Sequence, residues 1–423
     1  MPLLTKAELR ARVERLAAIE RGTASAGERE AAKLIVAELQ SIGVQARLEE
    51  ERVHGTYWWP LGILTGIAAL GGCARSRAFG VAAGAAGAAG VWDDLRLNKR
   101  VFRRRMLPQR TATNVVAELG DDRAEHTVLL IAHHDAAHAG LVFHPEIPRA
   151  VGRRFPKLLE RSNTTPPTMW GAVAGPALVA LGSLVGGKRG RRLRRCGGIL
   201  SVGYVAAMAD IGLRGVVPGA NDNATGVAVL LSLAHAFTEK PPPGVRIILL
   251  STSEESILEG MEGFARRHFH ELSPERTHVI NLDTVGSPYL LLLEGEGMLG
   301  IHEYQKDFLA LVRSCGDELG IFIWPNLRFR NATDGVVALK AGYPTATLAS
   351  VDKYKAPTHY HWPTDTPENV HYEQVADAAR LCDAVVRRLA RLVTNGGKLD
   401  IGPMDVSRRP ATLAPVGQAR KSR

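Results

Sequence analysis

Cysteine is scarce: four in 423 residues, Cys73, Cys196, Cys315 and Cys382, far apart and never as a Cys-x-x-Cys pair. That excludes a disulfide framework and a thiolate zinc site, so any metal must be held by His, Asp and Glu. The start of the chain lacks an apolar core followed by a small-residue cleavage site. Met1-Pro2-Leu3-Leu4-Thr5-Lys6 runs at once into a charged amphipathic pattern, and no cleavable signal peptide is expected. Nor is the composition that of a disordered or collagen-like chain, since 45% hydrophobic residues can build a sizeable core.

Evenly spread positive charge is also missing, although the net charge is +10. Residues 93–110, 188–195 and 408–423 hold 18 of the 53 basic residues and only two acids, which leaves the remainder at −6. Basic segments beside apolar runs on an acidic body fit a membrane surface better than a nucleic-acid duplex, and no nucleic-acid partner is expected.

What is present is alternation. Helical spacing over 6–20 and 26–41 gives way to strand patterns at 44–53, 113–118 and 127–132. Further on come a helix at 224–237, a strand at 245–250, a helix at 262–269, strands at 278–282 and 289–293, and a helix at 302–319. A short strand at 321–324, a helical turn at 334–340, a strand at 345–349 and a helix at 372–392 follow. This order predicts an α/β fold with a mixed, largely parallel β-sheet sandwiched by helices. Four uncharged runs, 58–72 with 78–92 and 168–187 with 196–209, read as two inserted hydrophobic helical hairpins, the second joined by the basic stretch 188–195. The expected organisation is a catalytic domain of 1–56, 93–150 and 214–398, hairpins within 57–92 and 151–213, and a flexible basic tail at 399–423. Against the about 20 apolar residues of a membrane span, the first pair is short and the second marginal. Membrane association through 58–92 and 168–213 is expected, with a soluble lid or dimer interface as the alternative. Each hairpin returns to its starting side, and the weak bias of basic residues leans toward a cytoplasmic body; a soluble cytoplasmic protein is the alternative.

Residues able to bind metal recur at strand ends. His133 and Asp135 follow an apolar strand and, two apart on an extended segment, share a face, as a histidine ligand and the carboxylate behind it would. Such a pair is weak alone. Asp222, in Gly219-Ala220-Asn221-Asp222-Asn223-Ala224-Thr225-Gly226, sits where a bridging carboxylate or an ordinary helix cap could be. Glu254 and Glu255 end a buried strand, where like charges crowd unless a cation is near. Asn281-Leu282-Asp283 ends another strand, and His361 lies in the late stretch 358–366. Their order carries the weight, each at the C-terminal end of a strand or in the loop after it.

The ordered set His-x-Asp, Gly-Ala-x-Asp-Asn-x-x-Gly, Glu-Glu, Asn-Leu-Asp and His-x-Pro-x-Asp-Thr resembles peptidase family M28 over residues 6–56, 111–140 and 215–394. The resemblance implies a zinc aminopeptidase-like fold and two zinc ions. It implies His133 and Asp283 on one metal, Glu255 and His361 on the other, and Asp222 bridging them. It also implies Glu254 as general base, Asp135 orienting His133, and Asp365 fixing the loop of His361. The implied reaction is hydrolysis of N-terminal peptide bonds by metal-activated water.

The pattern departs from the family in its extra imidazoles, His134, His138, His144 and His359, which are read as non-ligands, and in a loose match at 331–334, where the family lines its substrate pocket. A larger departure is the 87-residue separation of Asp135 from Asp222. An insertion leaving one metal-binding loop and returning to another should stand at the rim of the site, which would favour hydrophobic or membrane-associated peptides. Three rivals are an inactive membrane scaffold, a glutaminyl-cyclase-like transferase, and the neighbouring family of di-zinc carboxypeptidases and deacylases.

Overall fold

Runs such as Val128–Ile131 leave no face for water, and they end up as the middle of the sheet. In the computed structural model, which describes residues 3–394, eight strands pair edge to edge. Their order is Gln45–Val53, Arg110–Gly120, Val245–Thr252, His126–His133, Thr277–Leu282, Thr345–Val351, Tyr289–Leu292, Ile323–Trp324. The third to sixth of these are mutually parallel. Side chains alternate between two cores: Val128, Leu130 and Ala132 face the helices Ala26–Ser41, Thr225–Glu239 and Tyr372–Thr394, while Leu129 and Ile131 meet Met261 and Phe264 on the other side. Each of these side chains larger than alanine, fully buried, contributes about 1.5–3 kcal/mol. Parallel pairing also brings the strands' C-terminal ends to one edge, with His133 opposite Thr252, and the site forms there.

One helix starts later than its pattern suggests. The segment expected to be helical from His302 becomes helix at Lys306, because His302–Glu303 pairs antiparallel with Gly295–Glu296. Arg328–Phe329 completes this small three-stranded sheet. Two-residue strands carry no periodicity from which to foresee them. The tail at 399–423 lies outside the described residues.

The apolar runs form the helices Trp58–Cys73, Arg77–Leu95, Trp170–Val185 and Gly187–Leu213, packed as one four-helix unit. Here the sequence reading needs correction: the basic stretch 188–195 is not a loop but the opening turns of the last helix, and the turn shrinks to Gly186 and Gly187, both at positive φ. Backbones approach closely in this unit. A Cβ on Gly84 would lie 2.5 Å from the Ala180 nitrogen, and one on Gly182 would lie 2.5 Å from that of Arg194. Only glycine permits such contact. The base of the unit shares a core with the α/β body, where Tyr57, Leu61, Leu95 and Ile211 cluster with Met298 and Leu299. Between strand His126–His133 and this unit, the chain also forms a flap, Leu141–Phe143, Glu146–Arg154 and Pro156–Arg161, that no sequence pattern announced.

Candidate metal centre

Six residues from five separate segments converge at the sheet edge. His133, Glu254 and Asp283 form one group and Asp222, Glu255 and His361 a second, the candidate ligand atoms within each group lying within 4.8 Å of one another. Asp222 reaches both groups, with Oδ1 3.2 Å from His133 Nε2 and Oδ2 3.1 Å from His361 Nε2. Glu255 Oε1 is 3.2 Å from the same His361 nitrogen, and Glu254 Oε2 and Asp283 Oδ1 are 3.7 and 3.9 Å from His133 Nε2. Short as they are, the approaches to His361 lack hydrogen-bond alignment: Asp222 Oδ2, Glu254 Oε2 and His361 Nε2 are buried without a hydrogen-bond partner. Atoms that crowd together and yet leave their lone pairs unused suit a cation held between them.

Asp135 organises this edge. Its carboxylate accepts from the backbone N–H groups of Glu254 (2.8 Å) and Glu255 (3.0 Å) and from the hydroxyls of Thr23 (2.7 Å) and Ser253 (3.0 Å). His133 Nδ1 lies 3.1 Å from the Asp135 carbonyl and 3.3 Å from its Oδ1, so the ring is held with Nε2 toward Asp222. Asp365 links two of the loops. It accepts from the backbone N–H groups of Asn221 (2.7 Å) and Asp222 (3.1 Å), while its own N–H donates to the Trp362 carbonyl (2.8 Å), and so joins the loop of Asp222 to that of His361.

The charges are unbalanced. Burial lifts Asp283 to about 7, helped by negative Asp222 and Glu255 and opposed by His133. Glu254 is driven well above the carboxylate range by burial, with Asp283, Asp334 and Glu255 adding to the effect and His133 opposing it. Burial also presses on Asp222, but contact with the His133 and His361 rings outweighs it and leaves this carboxylate low. His361 is raised to about 10 against its burial, chiefly by Glu255 and Asp222. Protons here do what cations would do in a loaded site.

Several neighbours lie beyond the expected ligands, Asp334 among them from the loosely matching stretch 331–334. Asp334 is buried, accepts from the Thr252 hydroxyl and is lifted by burial to about 7. Tyr57 is buried, its hydroxyl has no partner, and burial with the charges of Glu255 and Asp222 raises it well above its usual range. Tyr57 immediately precedes an apolar helix and carried no signal. Tyr360 was within reach, adjoining His361 and stacked on it at 3.8 Å. The extra imidazoles have other contacts: His134 Nδ1 with Ser251 Oγ (3.0 Å), His138 Nδ1 with the Arg214 carbonyl (2.7 Å), His144 against Trp362, and His359 Nδ1 with Thr364 Oγ1 (2.6 Å). A cavity of about 790 Å³ lies apart from the centre, at the base of the four-helix unit between Trp58, Trp59, Leu213 and His54.

The model described as Peptidase family M28 matches residues 202–386, a stretch holding Asp222, Glu254, Glu255, Asp283 and His361 but not His133 or Asp135. No curated protein matches the chain. Among solved structures, an aminopeptidase from Aneurinibacillus sp. strain AM-1 is similar at a TM-score of 0.55 and 15% identity, over 95% of this chain and 97% of that one. A zinc aminopeptidase from Bacillus subtilis is similar at 0.53 and 15%, over 91% and 95%. A Bacteroides thetaiotaomicron glutaminyl cyclase bound to N-acetylhistamine is similar at 0.55 and 12%, over 92% and 99%. Likeness at such identities concerns the fold, a mixed α/β sheet flanked by helices.

Proposed function

We propose that the chain, whose residues 202–386 match the model of peptidase family M28, is a zinc-dependent aminopeptidase of that family whose apolar helices sit in a membrane. One observation carries the reading: Asp222 spans two histidine–carboxylate groups, one oxygen toward each imidazole. His133 and Asp283 would hold one zinc and Glu255 and His361 the other, with Asp222 shared and Asp135 orienting His133. Zinc in such a site supplies a water of lowered pKa and a Lewis acid for the scissile carbonyl. Glu254, half-buried beside His133 and backed by Asp135 through its own N–H, is placed to take a proton from water and return it to the leaving amine. The glutaminyl-cyclase reading draws support from the fold likeness, but the second group of possible ligands, with its shared Asp222, favours the hydrolase.

Membrane placement draws on the pattern around the four helices. Trp59, Trp92 and Trp170 are exposed at the body end, and Arg75, Arg77 and the cations of 188–195 crowd the far end. Between them Leu70, Leu181, Ile199 and Val202 face outward. An aromatic belt, an apolar band and a basic cap in this order suit a bilayer. The 16-residue helices are about 24 Å long against an about 30 Å hydrocarbon core, so thinning and snorkelling arginines would make up the difference. One helix, Gly187–Leu213, is long and apolar enough to cross by itself.

The test pairs metal analysis with hydrolysis of aminoacyl p-nitroanilides and cyclisation of a glutaminyl peptide, for the full chain in detergent and for Glu254→Ala. Two zinc per chain, with hydrolysis reduced at least a hundredfold in a variant that keeps its metal, is the expected result. Cyclisation without hydrolysis would establish the transferase instead, and neither metal nor turnover would leave a scaffold.

A further inference from the structure

The flap at 141–161 presents an unusual surface beside the metal centre. Leu141, Val142, Ile147, Val151, Phe155 and Leu158 are each between 46% and 66% exposed, six large apolar side chains within 18 residues. Arg149, Arg153, Arg154, Lys157 and Arg161 share the segment with only two acids, Glu146 and Glu160. Ile147 and Val151, four apart, share a face of the helix Glu146–Arg154, Phe155 stands at the non-helical junction, and Leu158 follows in the helix Pro156–Arg161. Apolar side chains flanked by cations on a weakly hydrophobic helix are what an anionic bilayer surface binds.

Location settles the choice of partner. At one end the Leu141 N–H donates to Asp210 Oδ2 (2.6 Å), and Ile211 packs against Gly140, so the flap starts at the body end of the helix Gly187–Leu213, level with the tryptophan belt. The other end is fastened to the catalytic body, where Lys355 Nζ donates to the carbonyls of Leu159 and Ser162, both at 2.6 Å. Facing inward from the same segment, the Phe143 ring meets His361 edge-on at 4.6 Å and Tyr360 at 5.8 Å.

We infer that the outer face of residues 141–161 is a docking surface for an anionic lipid bilayer, and that it holds Phe143 over the metal centre from the membrane side. The inference rests on the membrane placement of the four helices and adds a second, charge-dependent contact. That contact puts the covered mouth of the site at the lipid headgroups.

The test uses the full chain with the exposed thiols removed, Cys73→Ser and Cys196→Ser, since Cys315 and Cys382 are buried. An environment-sensitive dye is attached at Phe155→Cys, or in a second preparation at Ile199→Cys in the four-helix unit. Each is reconstituted with spin-labelled lipid in vesicles of pure phosphatidylcholine or with 30% phosphatidylglycerol. Quenching at position 155 should be at least twofold greater with the anionic lipid, and should fall to the neutral-lipid level when Arg153, Arg154 and Lys157 become Gln. The dye at 199 should be quenched equally in both vesicles. Quenching at 199 with none at 155 overturns the flap surface and leaves the membrane placement standing. No quenching at either position overturns both.

Discussion

At the scale of residues, the site is an accumulation of acids that cannot all ionise together. Glu28 and Glu296 are lifted to about 8, first by burial, and Asp283, Asp334 and Asp365 to about 7. In an unfolded chain such groups titrate near 4. The folded, metal-free protein therefore binds more protons than the unfolded one, and the stability this confers is lost progressively from about pH 4 until these groups have ionised at pH 7 to 8. Buried His134 and His278, lowered to about 4, work in the opposite sense but only below pH 6.5. The melting temperature in chelator should accordingly fall between pH 6.5 and 8.5. With zinc the fall should be smaller, because bound cations replace protons at Asp283 and its neighbours. A chelated protein that melts higher at pH 8.5 than at 6.5 would contradict this account. The sequence made the candidate ligands legible because each stands at the end of an apolar strand. It hid Tyr57 and Glu296, whose approach to the site depends on segments far apart in the chain, and marked Asp334 only through the loose match at 331–334.

At the scale of elements, the end of the first hairpin is tied to the loop that carries Glu254 and Glu255. Arg103 is fully buried, makes two 2.8 Å bonds to the Asp94 carboxylate, and donates to the carbonyls of Gly55 and Ser256. Arg100 donates to the Ile257 carbonyl at 2.7 Å. Ile257 and Leu258 both sit at positive φ, so this loop keeps a conformation that side chains of their kind disfavour. Arg103→Met leaves a buried carboxylate alone and should cost about 3–5 kcal/mol of stability. The double variant Asp94→Leu with Arg103→Met should recover most of that in thermal melts, while activity stays low because Ser256 has lost its donor. Equal stability of the single and double variants would show that the pair is not what holds this junction. Helix and strand positions were largely readable from periodicity. The flap was not, because its apolar residues face outward and resemble a loop in composition.

At the scale of the whole molecule, two architectures share one core. The four-helix unit meets the catalytic body through Tyr57, Leu61, Ile211, Met298 and Leu299 instead of through a linker, so the two should move as one piece. Membrane fractions of cells expressing the chain should retain it through a carbonate wash, and high salt alone should release little. Recovery mainly in the soluble fraction would favour a soluble lid. The sequence by itself determined the α/β alternation, the hydrophobic hairpins and the ordered set of His, Asp and Glu, because each rests on local spacing or on a motif of a few residues. Only the tertiary structure decided that the hairpins form one glycine-packed unit, that Asp222 faces both histidines, that Asp365 serves the Asp222 loop, and that Phe143 covers His361. Those facts depend on which distant surfaces fit together, a matter of packing that no window of sequence contains.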